Sequence, residues 1–509
     1  MKLNRVGRHG RDSEKAAAYA DEDRLSNLPD DVLINILERV DTLDAIRTCI
    51  LSKKMHNLLT MLSQIVILPG PRDLVRMNGI VADVTDKMLR RTRITVRRLK
   101  VRFMLSAGDC LSIGRSVAML SPDDCLSIGR SVASAMANQR LDAAEFQIST
   151  QMIFSNEEEL IYFAKQFNRF LGDCPDAFAG LTRLHLQNMS FGKLEEIPNI
   201  LTTCKRLESL RLFQCDAGTH VVLKVEHARL VELDFTSCRF ATLDLAFVPK
   251  LERLTYDGWV PCLDLDPVVL GFVPRLSKLI LSNYAGLNKT FLLSGLLVNA
   301  PSVSDLRLDF QNHRIWVRPE GPKLLAPVLG KVRVVSLDNL CPRYDIAWTM
   351  FILEAAPSLE ELCVTVNGHR CYREFPDETG VKWEPPVADL KHRNLTKLTI
   401  HGFQSDSNFT GYVRRVMEAA VNIKEVSLHD WKVCERCTDK KVCQRCTYRL
   451  FWQRCTDRKV GIKDLSSYPQ TGEEMDLLRK EISEGLMMAS PAVIHFRPPC
   501  YDIAEVKCL

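Results

Sequence analysis

Long apolar runs are scarce in this chain of 509 residues. The stretch that comes closest, TFLLSGLLV at 290–298, is much shorter than the roughly 18 apolar residues that a membrane-spanning helix needs. The first fifteen residues, MKLNRVGRHGRDSEK, lack the apolar core of a secretory signal. We therefore expect no membrane partner and a location in the cytoplasm, the nucleus or both. The 18 cysteines are then expected to be free thiols in a reducing compartment.

Catalytic motifs are also missing. The sequence contains no Gly-rich loop that could hold a phosphate, no HExxH and no nucleophile elbow. With 68 basic and 63 acidic side chains, there is no charge excess that would indicate nucleic acid as a partner. These absences predict a protein-binding chain that is not an enzyme and needs no cofactor.

What the chain does contain is a repeated apolar-x-x-apolar-x-apolar phrase. Most copies begin 21 to 29 residues apart, which is the period of leucine-rich repeats, each a short strand followed by a helix or an irregular return. Two earlier copies fit at Val96-Leu99-Val101 and Leu141-Ala144-Phe146, separated by a 15-residue duplication that repeats DCLSIGRSVA at 109–118 and 124–133. The ten main copies begin at Leu181, Leu207, Leu230, Leu251, Leu276, Val303, Val332, Leu359, Leu395 and Ile423.

A different pattern precedes the repeats. Between Leu28 and Leu59 the apolar spacing predicts three short helices, the first of which carries Pro29 and two aspartates in its first turn. The segment LPDDVLINILERVDTLDAIRTCILSKKM resembles an F-box, with Met55 where that family commonly has a tryptophan. The resemblance implies binding to the Skp-type adaptor of a cullin-based ubiquitin ligase.

The C-terminal part adds a second resemblance. HRNLTKLTIHGFQSDSNFTGYVRRVMEAAVNIKEVSL, EEMDLLRKEISEG and VIHF are similar to the FBD region of plant F-box/leucine-rich-repeat proteins. The predicted fold class is α/β: a three-helix F-box, then an irregular leucine-rich-repeat solenoid with parallel strands on its concave face. The predicted domains are a disordered segment at 1–23, the F-box at 24–68, the solenoid at 90–388 and the FBD-like region at 389–500.

The family resemblance implies the substrate receptor of a Skp-cullin-F-box ligase, which binds the adaptor at one end and a protein substrate at the other. The alternative is a leucine-rich-repeat scaffold that works outside any ligase. Part of the adaptor-binding set must instead pack the helices against one another. On this basis Leu37→Asp is expected to abolish binding of the adaptor. The predicted adaptor-binding residues are Leu28, Pro29, Leu33, Ile36, Leu37 and Ile46.

Side chains that alternate with the apolar strand positions predict the substrate-binding face. Their charges are mixed in sign, which favours a protein partner over a phosphate backbone. Three of them form a basic stripe that could receive an acidic segment, although a solvated face is the simpler interpretation. The stripe is Arg98, Lys100 and Arg102. The other candidates are Arg183, His185, Arg211, Phe213, Arg253 and Arg307.

Four cysteines in two CxxC pairs, Cys434, Cys437, Cys443 and Cys446, are the candidates for a zinc site. Only five residues separate the pairs, fewer than zinc sites usually have. The insertion at 434–460 is itself a local duplication, because ERCTDKKV recurs as QRCTDRKV. We therefore interpret these residues as thiols without a metal, with structural zinc as the alternative.

Overall fold

The structure is a computed structural model, and the chain divides into two compact units. Unit 1 comprises Met1–Gln151 and Arg169–Thr182, and unit 2 comprises Met152–Asn168 and Arg183–Leu509. The residues that the structure describes are 28–49, 53–70, 74–105, 122–150, 157–192, 196–217, 221–257, 266–282, 290–311, 315–341, 345–366, 390–430, 468–486 and 492–499. The predicted disordered segment at 1–23 and the Cys-rich insertion at 434–460 lie outside these ranges.

Unit 1 begins with three short helices, as predicted: α1 (Asp30–Leu37), α2 (Thr42–Cys49) and α3 (Lys53–Leu58). Both aspartates of the first turn of α1 lie at the positive end of its dipole. Met55 on α3 is buried, so its flexible thioether packs within the core of the helical module.

Three parallel strands follow in unit 1, with register pairs from Gln64↔Arg98 to Leu105↔Thr150. The predicted early repeats therefore form strands. The second copy of the duplicated decapeptide lies on a helix, whereas the first copy, at 109–118, is outside the described residues. The elements are β1 (Gln64–Ile67), α4 (Leu74–Arg91), β2 (Arg98–Leu105), α5 (Pro122–Ala137), β3 (Ala144–Thr150), α6 (Glu157–Asp173), whose residues divide between the units, and α7 (Pro175–Ala179).

Side chains at the start of α2 accept hydrogen bonds from the backbone of β1 and of the residue just after it. The backbone N–H of Val66 donates to Thr42 Oγ1 at 2.9 Å, and that of Leu68 donates to Asp41 Oδ2 at 2.7 Å. An unpaired strand edge would leave such N–H groups available to another chain. Polar side chains of the helical module therefore replace a missing neighbouring strand.

Unit 2 contains a long parallel sheet. The repeat leucines fall in register from Leu184↔Leu210 to Val426↔Ile494, so one buried apolar ladder runs through the unit. In sheet order the strands are β4 (Leu181–Gln187), β5 (Ser209–Phe213), β7 (Glu232–Thr236), β9 (Arg253–Asp257), β11 (Lys278–Ser282), β12 (Asp305–Asp309), β13 (Val334–Leu340), β14 (Glu361–Val366), β15 (Lys397–His401), β16 (Glu425–His429) and β17 (Val493–Arg497).

The segments that connect these strands are of two kinds. The sequence predicts helices wherever the spacing permits them, and they are α8 (Glu196–Thr203), α9 (Leu293–Leu297), α10 (Pro322–Leu329), α11 (Met350–Ala355), α12 (Ser407–Ala419) and α13 (Gly472–Ser483). The returns after β5, β7 and β9 instead contain strands, β6 (Val222–Glu226), β8 (Thr242–Phe247) and β10 (Val268–Phe272), which form a second parallel sheet. These repeats are among the shortest and leave little room for a helix. Among the described helices, none is both long and apolar enough to cross a bilayer.

Two buried histidines hold the chain just before a strand. In the first, backbone N–H groups of Arg229 and Leu230 donate to His227 Nδ1 at 3.2 and 3.1 Å, while Nε2 lies 3.1 Å from the carbonyl of Cys204. His392 repeats the arrangement, with Nε2 at 2.9 Å from the carbonyl of Ala356 and the N–H of Leu395 donating to Nδ1 at 3.0 Å. Each imidazole therefore satisfies backbone groups at a tight bend.

The residue that follows several strands of unit 2 is left-handed. Asn188, Gln214, Ser237, Gln311 and Asn339 all have φ between 51° and 55°. Four of them lie one or two residues beyond the ends of β4, β5, β7 and β12, so the backbone turns in the same way after these strands, whereas Asn339 lies within β13. Asparagine tolerates this conformation better than glutamine or serine.

Candidate functional site

The predicted adaptor-binding residues differ in how deeply their side chains are buried. Leu33 and Leu37 are 0% and 4% exposed, so they form the core of the helical module. Pro29 and Ile36 are exposed, while Leu28 and Ile46 are half-buried. The structure thus resolves by burial a set that the sequence could not divide.

An exposed apolar stripe runs along α1. Val32 and Ile36 are 39% and 40% exposed and lie four residues apart on one side of the helix, and Val40, which is 40% exposed, lies in the turn that follows it. At the N-terminal end of this helix, Lys54 Nζ lies 3.2 Å from Asp30 Oδ1 and donates to the Leu28 carbonyl at 2.9 Å. The stripe and its polar margin have the composition of a protein interface.

Side chains of β3 hold two of the three residues of the predicted basic stripe on β2. Arg98 forms an ion pair with Glu145 at 2.6 Å, and Arg102 Nε donates to Gln147 Oε1 at 2.9 Å. Lys100 lies opposite Glu145 in the strand register. Burial lowers the pKa of Arg102, an effect opposed by the charge of Asp41. These arginines are positioned by neighbours in the same unit.

On unit 2, the polar face of the sheet, opposite the leucine ladder, carries the other predicted residues. Arg183 and Arg253 lie 3.7 and 3.5 Å from the same carboxylate, that of Glu232, and Arg211 lies 3.1 Å from Asp234. His185 and Phe213 are half-buried on β4 and β5. The face therefore presents arginines whose charges already have partners.

A row of carboxylates occupies the C-terminal ends of the central strands. The register Asp257↔Ser282↔Asp309↔Asp338 crosses β9, β11, β12 and β13. Burial, with a contribution from Asp309, raises the pKa of Asp257 to about 7. Burial also raises the pKa of Asp309 to about 6 and raises that of Asp338, which forms an ion pair with Arg307. The substrate-binding candidates included Arg307 but none of these aspartates.

The cysteines whose side chains the structure describes are free thiols. Burial raises the pKa of Cys204 and Cys215 to about 12, so both stay protonated and unreactive at neutral pH. Within the described ranges no group of three or more potential ligands could hold a metal ion. The zinc candidates Cys434, Cys437, Cys443 and Cys446 lie outside those ranges.

Comparison with known families identifies two domains in this chain. Residues 25–65 match the F-box domain, and residues 174–455, more than half of the chain, match the family described as At1g61320/AtMIF1, LRR domain. The chain belongs to this leucine-rich-repeat family. The F-box precedes the leucine-rich-repeat match in the sequence, so the chain combines the two domains. No curated protein matches the chain.

Solved structures resemble this F-box/leucine-rich-repeat chain only distantly. The yeast complex of Rad7 and Elc1 is 13% identical with a TM-score of 0.31, over 82% of this chain and 91% of that chain. The TLR13–ssRNA13 complex is 12% identical with a TM-score of 0.21, over 65% of this chain and 59% of that chain. Neither likeness supports an assignment of function.

Proposed function

We propose that the chain is the substrate-receptor subunit of a Skp-cullin-F-box ubiquitin ligase. The F-box would bind a Skp-type adaptor, which binds the cullin, and the polar face of the leucine-rich repeats would bind a protein substrate. Such a receptor needs no reactive group, because it acts by raising the effective concentration of a substrate lysine beside the ubiquitin carrier. The receptor would be located in the cytoplasm, the nucleus or both.

The observation that supports this proposal is the exposed stripe of Val32, Ile36 and Val40. A helical module that served only as a cap on the repeats would have no reason to leave three apolar side chains exposed so close together in the sequence. Transfer of each half-exposed side chain into an interface would contribute about 1 kcal/mol. Pro29 extends the stripe, whereas Leu33 and Leu37 support it from within.

Substitution of Ile36 tests the proposal. Ile36→Asp would place an unpaired carboxylate in the adaptor interface, which costs several kcal/mol, so co-purification with a Skp-type adaptor and cullin should fall at least about 100-fold. Ile80→Asp is the matched control, because Ile80 is also an exposed apolar residue on a helix of unit 1. It should retain adaptor binding.

Equal binding by the two variants would contradict the receptor role and favour the alternative, a scaffold outside any ligase. The Leu37→Asp substitution suggested by the sequence is a poor test of docking. It would place a carboxylate in the core of the module, where loss of binding would follow from unfolding.

The C-terminal FBD-like region and the domain boundaries are part of the same proposal. Its matched segments contain β15, α12, β16, α13 and β17. In this arrangement, the 389–500 region would complete the sheet that the 90–388 solenoid begins. The F-box at 24–68 includes β1.

A further inference from the structure

The loop between α4 and β2 carries arginines whose side chains have no acidic partner. Arg91, Arg93 and Arg97 are exposed, and none of them forms an ion pair within the part of the chain that the structure describes. The arginines on either side of them, Arg90 and Arg98, each form an ion pair with a carboxylate. Unpaired positive charge is therefore concentrated in the loop itself.

Arg140 brings a fourth guanidinium to the same place. Its carbonyl accepts from the N–H of Val96 at 2.7 Å, and its Nη1 donates to the carbonyl of Arg90 at 3.5 Å, near the negative end of the α4 dipole. Asp142 also adjoins the loop, through its N–H to the carbonyl of Val96 at 3.0 Å, but its carboxylate pairs with none of these arginines in the described ranges. We call Arg91, Arg93, Arg97 and Arg140 the arginine patch.

Backbone hydrogen bonds fix the loop that carries the patch. The N–H of Arg93 donates to the carbonyl of Thr60 at 2.8 Å, and the N–H of Arg97 donates to the carbonyl of Ser63 at 2.8 Å. Both bonds tie the loop to the turn at Leu59–Met61 and to the residues just after it. A surface whose backbone is already ordered loses less conformational entropy when it binds a partner.

Exposed apolar side chains accompany the charges of the patch. Ile94 directly follows Arg93 in the loop and is 38% exposed, and Met61 directly follows Thr60 and is 45% exposed. Arginine and methionine are enriched in protein interfaces, whereas a phosphate backbone is bound mainly through charged and polar groups. The mixture of guanidinium and apolar groups therefore favours a protein as the partner.

The patch adjoins the side of α1 that faces away from the exposed stripe. Ser63, whose carbonyl holds Arg97, donates its N–H and its hydroxyl to Glu38 Oε1, each at 2.7 Å. Glu38 follows Ile36 by two residues, which is about 200° around the helix axis. A partner bound to the patch would therefore not have to displace an adaptor bound to the stripe.

We propose that the arginine patch binds an acidic segment of a partner protein other than the adaptor. Carboxylates at alternate positions of an extended segment lie about 7 Å apart on one side, and each can accept two hydrogen bonds from one guanidinium. The sequence suggested an acidic ligand for the stripe on β2, but β3 holds two of those residues, and the unpaired arginines lie in the loop before it. The inference goes beyond the proposed ligase role and does not depend on it.

A pair of peptides tests the inference on the full chain. The probes are a fluorescent nonapeptide in which serine alternates with glutamate and the same peptide with glutamine in place of each glutamate. At about 50 mM salt the glutamate peptide should bind at least about tenfold tighter by fluorescence anisotropy, since several exposed ion pairs of modest strength act together. At about 300 mM salt this preference should fall below about threefold, because salt screens exposed charges.

Charge-removing variants locate the effect. Arg93→Gln with Arg97→Gln should reduce the preference for the glutamate peptide to less than about threefold. Arg206→Gln with Arg275→Gln is the matched control, because both residues are exposed arginines of unit 2 without an ion pair among the described residues, and it should keep the preference. Arg93→Lys with Arg97→Lys preserves the charge and should retain most of the preference.

Several outcomes would overturn the inference. Equal affinity for the two peptides, absence of binding to either, or a preference that survives Arg93→Gln with Arg97→Gln would each do so. Tighter binding of a single strand of ten thymidines would assign the patch to nucleic acid instead. Adaptor pull-down should be unchanged by this double variant, since a loss would assign the patch to the adaptor interface. Failure of the unmodified chain to bind the adaptor would contradict the ligase role alone.

Discussion

At the scale of single residues, His227 and His392 show how a titratable side chain can serve a purely structural purpose. Nδ1 of each ring accepts from backbone N–H groups, so Nε2 carries the proton that is donated to a carbonyl. Protonation of Nδ1 would replace those accepted hydrogen bonds with repulsion. Burial lowers the pKa of both imidazoles, which is consistent with a neutral ring.

Replacement of one of these rings predicts a pH-dependent loss of stability. His227→Phe preserves ring volume but removes the acceptor for two backbone N–H groups, so the free energy of unfolding should fall by about 1–3 kcal/mol at pH 7.5. A histidine with a folded pKa below its unfolded value of about 6.5 stabilises fully above that value. Its contribution is lost as pH falls below 6.5 toward the folded pKa.

Denaturant unfolding at pH 7.5 and at pH 5.5 checks this. The difference in free energy of unfolding between the unmodified protein and the variant should be larger at pH 7.5 than at pH 5.5. His56→Phe is the control, since His56 is exposed on α3 and should change neither value by more than about 0.5 kcal/mol. A gap that widens on acidification would be inconsistent with a neutral His227.

Some of these residue roles could have been anticipated and others could not. His227 and His392 each precede a repeat leucine by three residues. This spacing is visible in the sequence, but it indicates a structural role only once the backbone bend is known. The partners of the predicted arginines are different, because Glu145 is 47 residues from Arg98 and Asp338 is 31 from Arg307. Only the strand register brings such charges together, so sequence alternation identified the face but not its electrostatics.

At the scale of secondary-structure elements, the ends of the strands share one backbone geometry. A left-handed residue follows successive strands of unit 2, and in this conformation a residue with a Cβ is less stable by about 1–2 kcal/mol. Asparagine at 188 and 339 reduces that penalty through its short polar side chain. Gln214 and Ser237 are subject to the full free-energy penalty of the left-handed conformation. They keep this conformation because the neighbouring repeats hold the strands on either side of the turn in register.

Glycine at such a position is expected to stabilise the repeat. Gln214→Gly removes the left-handed penalty but adds about 0.5–1 kcal/mol of chain entropy to the unfolded state, so the net gain should be about 0.5 kcal/mol. Asn188→Gly is the comparison, because asparagine already tolerates the conformation and its replacement should bring no gain. Thermal unfolding of both variants measures the difference, and an equal response would mean that φ does not limit stability here.

The strand pattern was the part of the fold most open to prediction. The apolar phrases became strands in a continuous register because a strand with one buried face requires apolar residues at every second position. The returns were harder, since VLKVE at β6 and TLDLAF at β8 are too short for their periodicity to distinguish strand from helix. These segments form strands because they pair with each other, and the paired residues are not neighbours in the sequence.

At the scale of the whole molecule, an aromatic cluster lies at β17, the last strand of the sheet in the part of the chain that the structure describes. Phe496 on β17 packs near Phe403 and Tyr468, each with ring centroids 6.2 Å away, and the Arg479 guanidinium lies 5.2 Å from its ring. Tyr468 donates its hydroxyl proton within this end of the sheet, near the carbonyls of Leu428 and Arg497. In repeat proteins each unit is stabilised by its neighbours, so such an end protects the strands beside it.

Removal of the Phe496 ring should therefore destabilise the neighbouring strands and not the distant ones. Phe496→Ala is expected to accelerate amide hydrogen exchange in β15 and β16 by about tenfold or more, while β5 and β7, far along the same sheet, keep their protection. Leu477→Ala, on the exposed side of α13, should leave both regions unchanged. Exchange measured by mass spectrometry would contradict this view if all strands of the unit responded together.

The hydrogen bonds from Thr42 and Asp41 to β1 have a mechanical consequence for a receptor. If the proposed adaptor bound α1, it would also hold β1 in place, because Asp41 and Thr42 join the start of α2 to this strand directly. The bonds oppose the swivel that a flexible joint would permit at this junction. A fragment cut immediately after the helices would lose β1, and with it the two backbone N–H groups that Thr42 and Asp41 accept from.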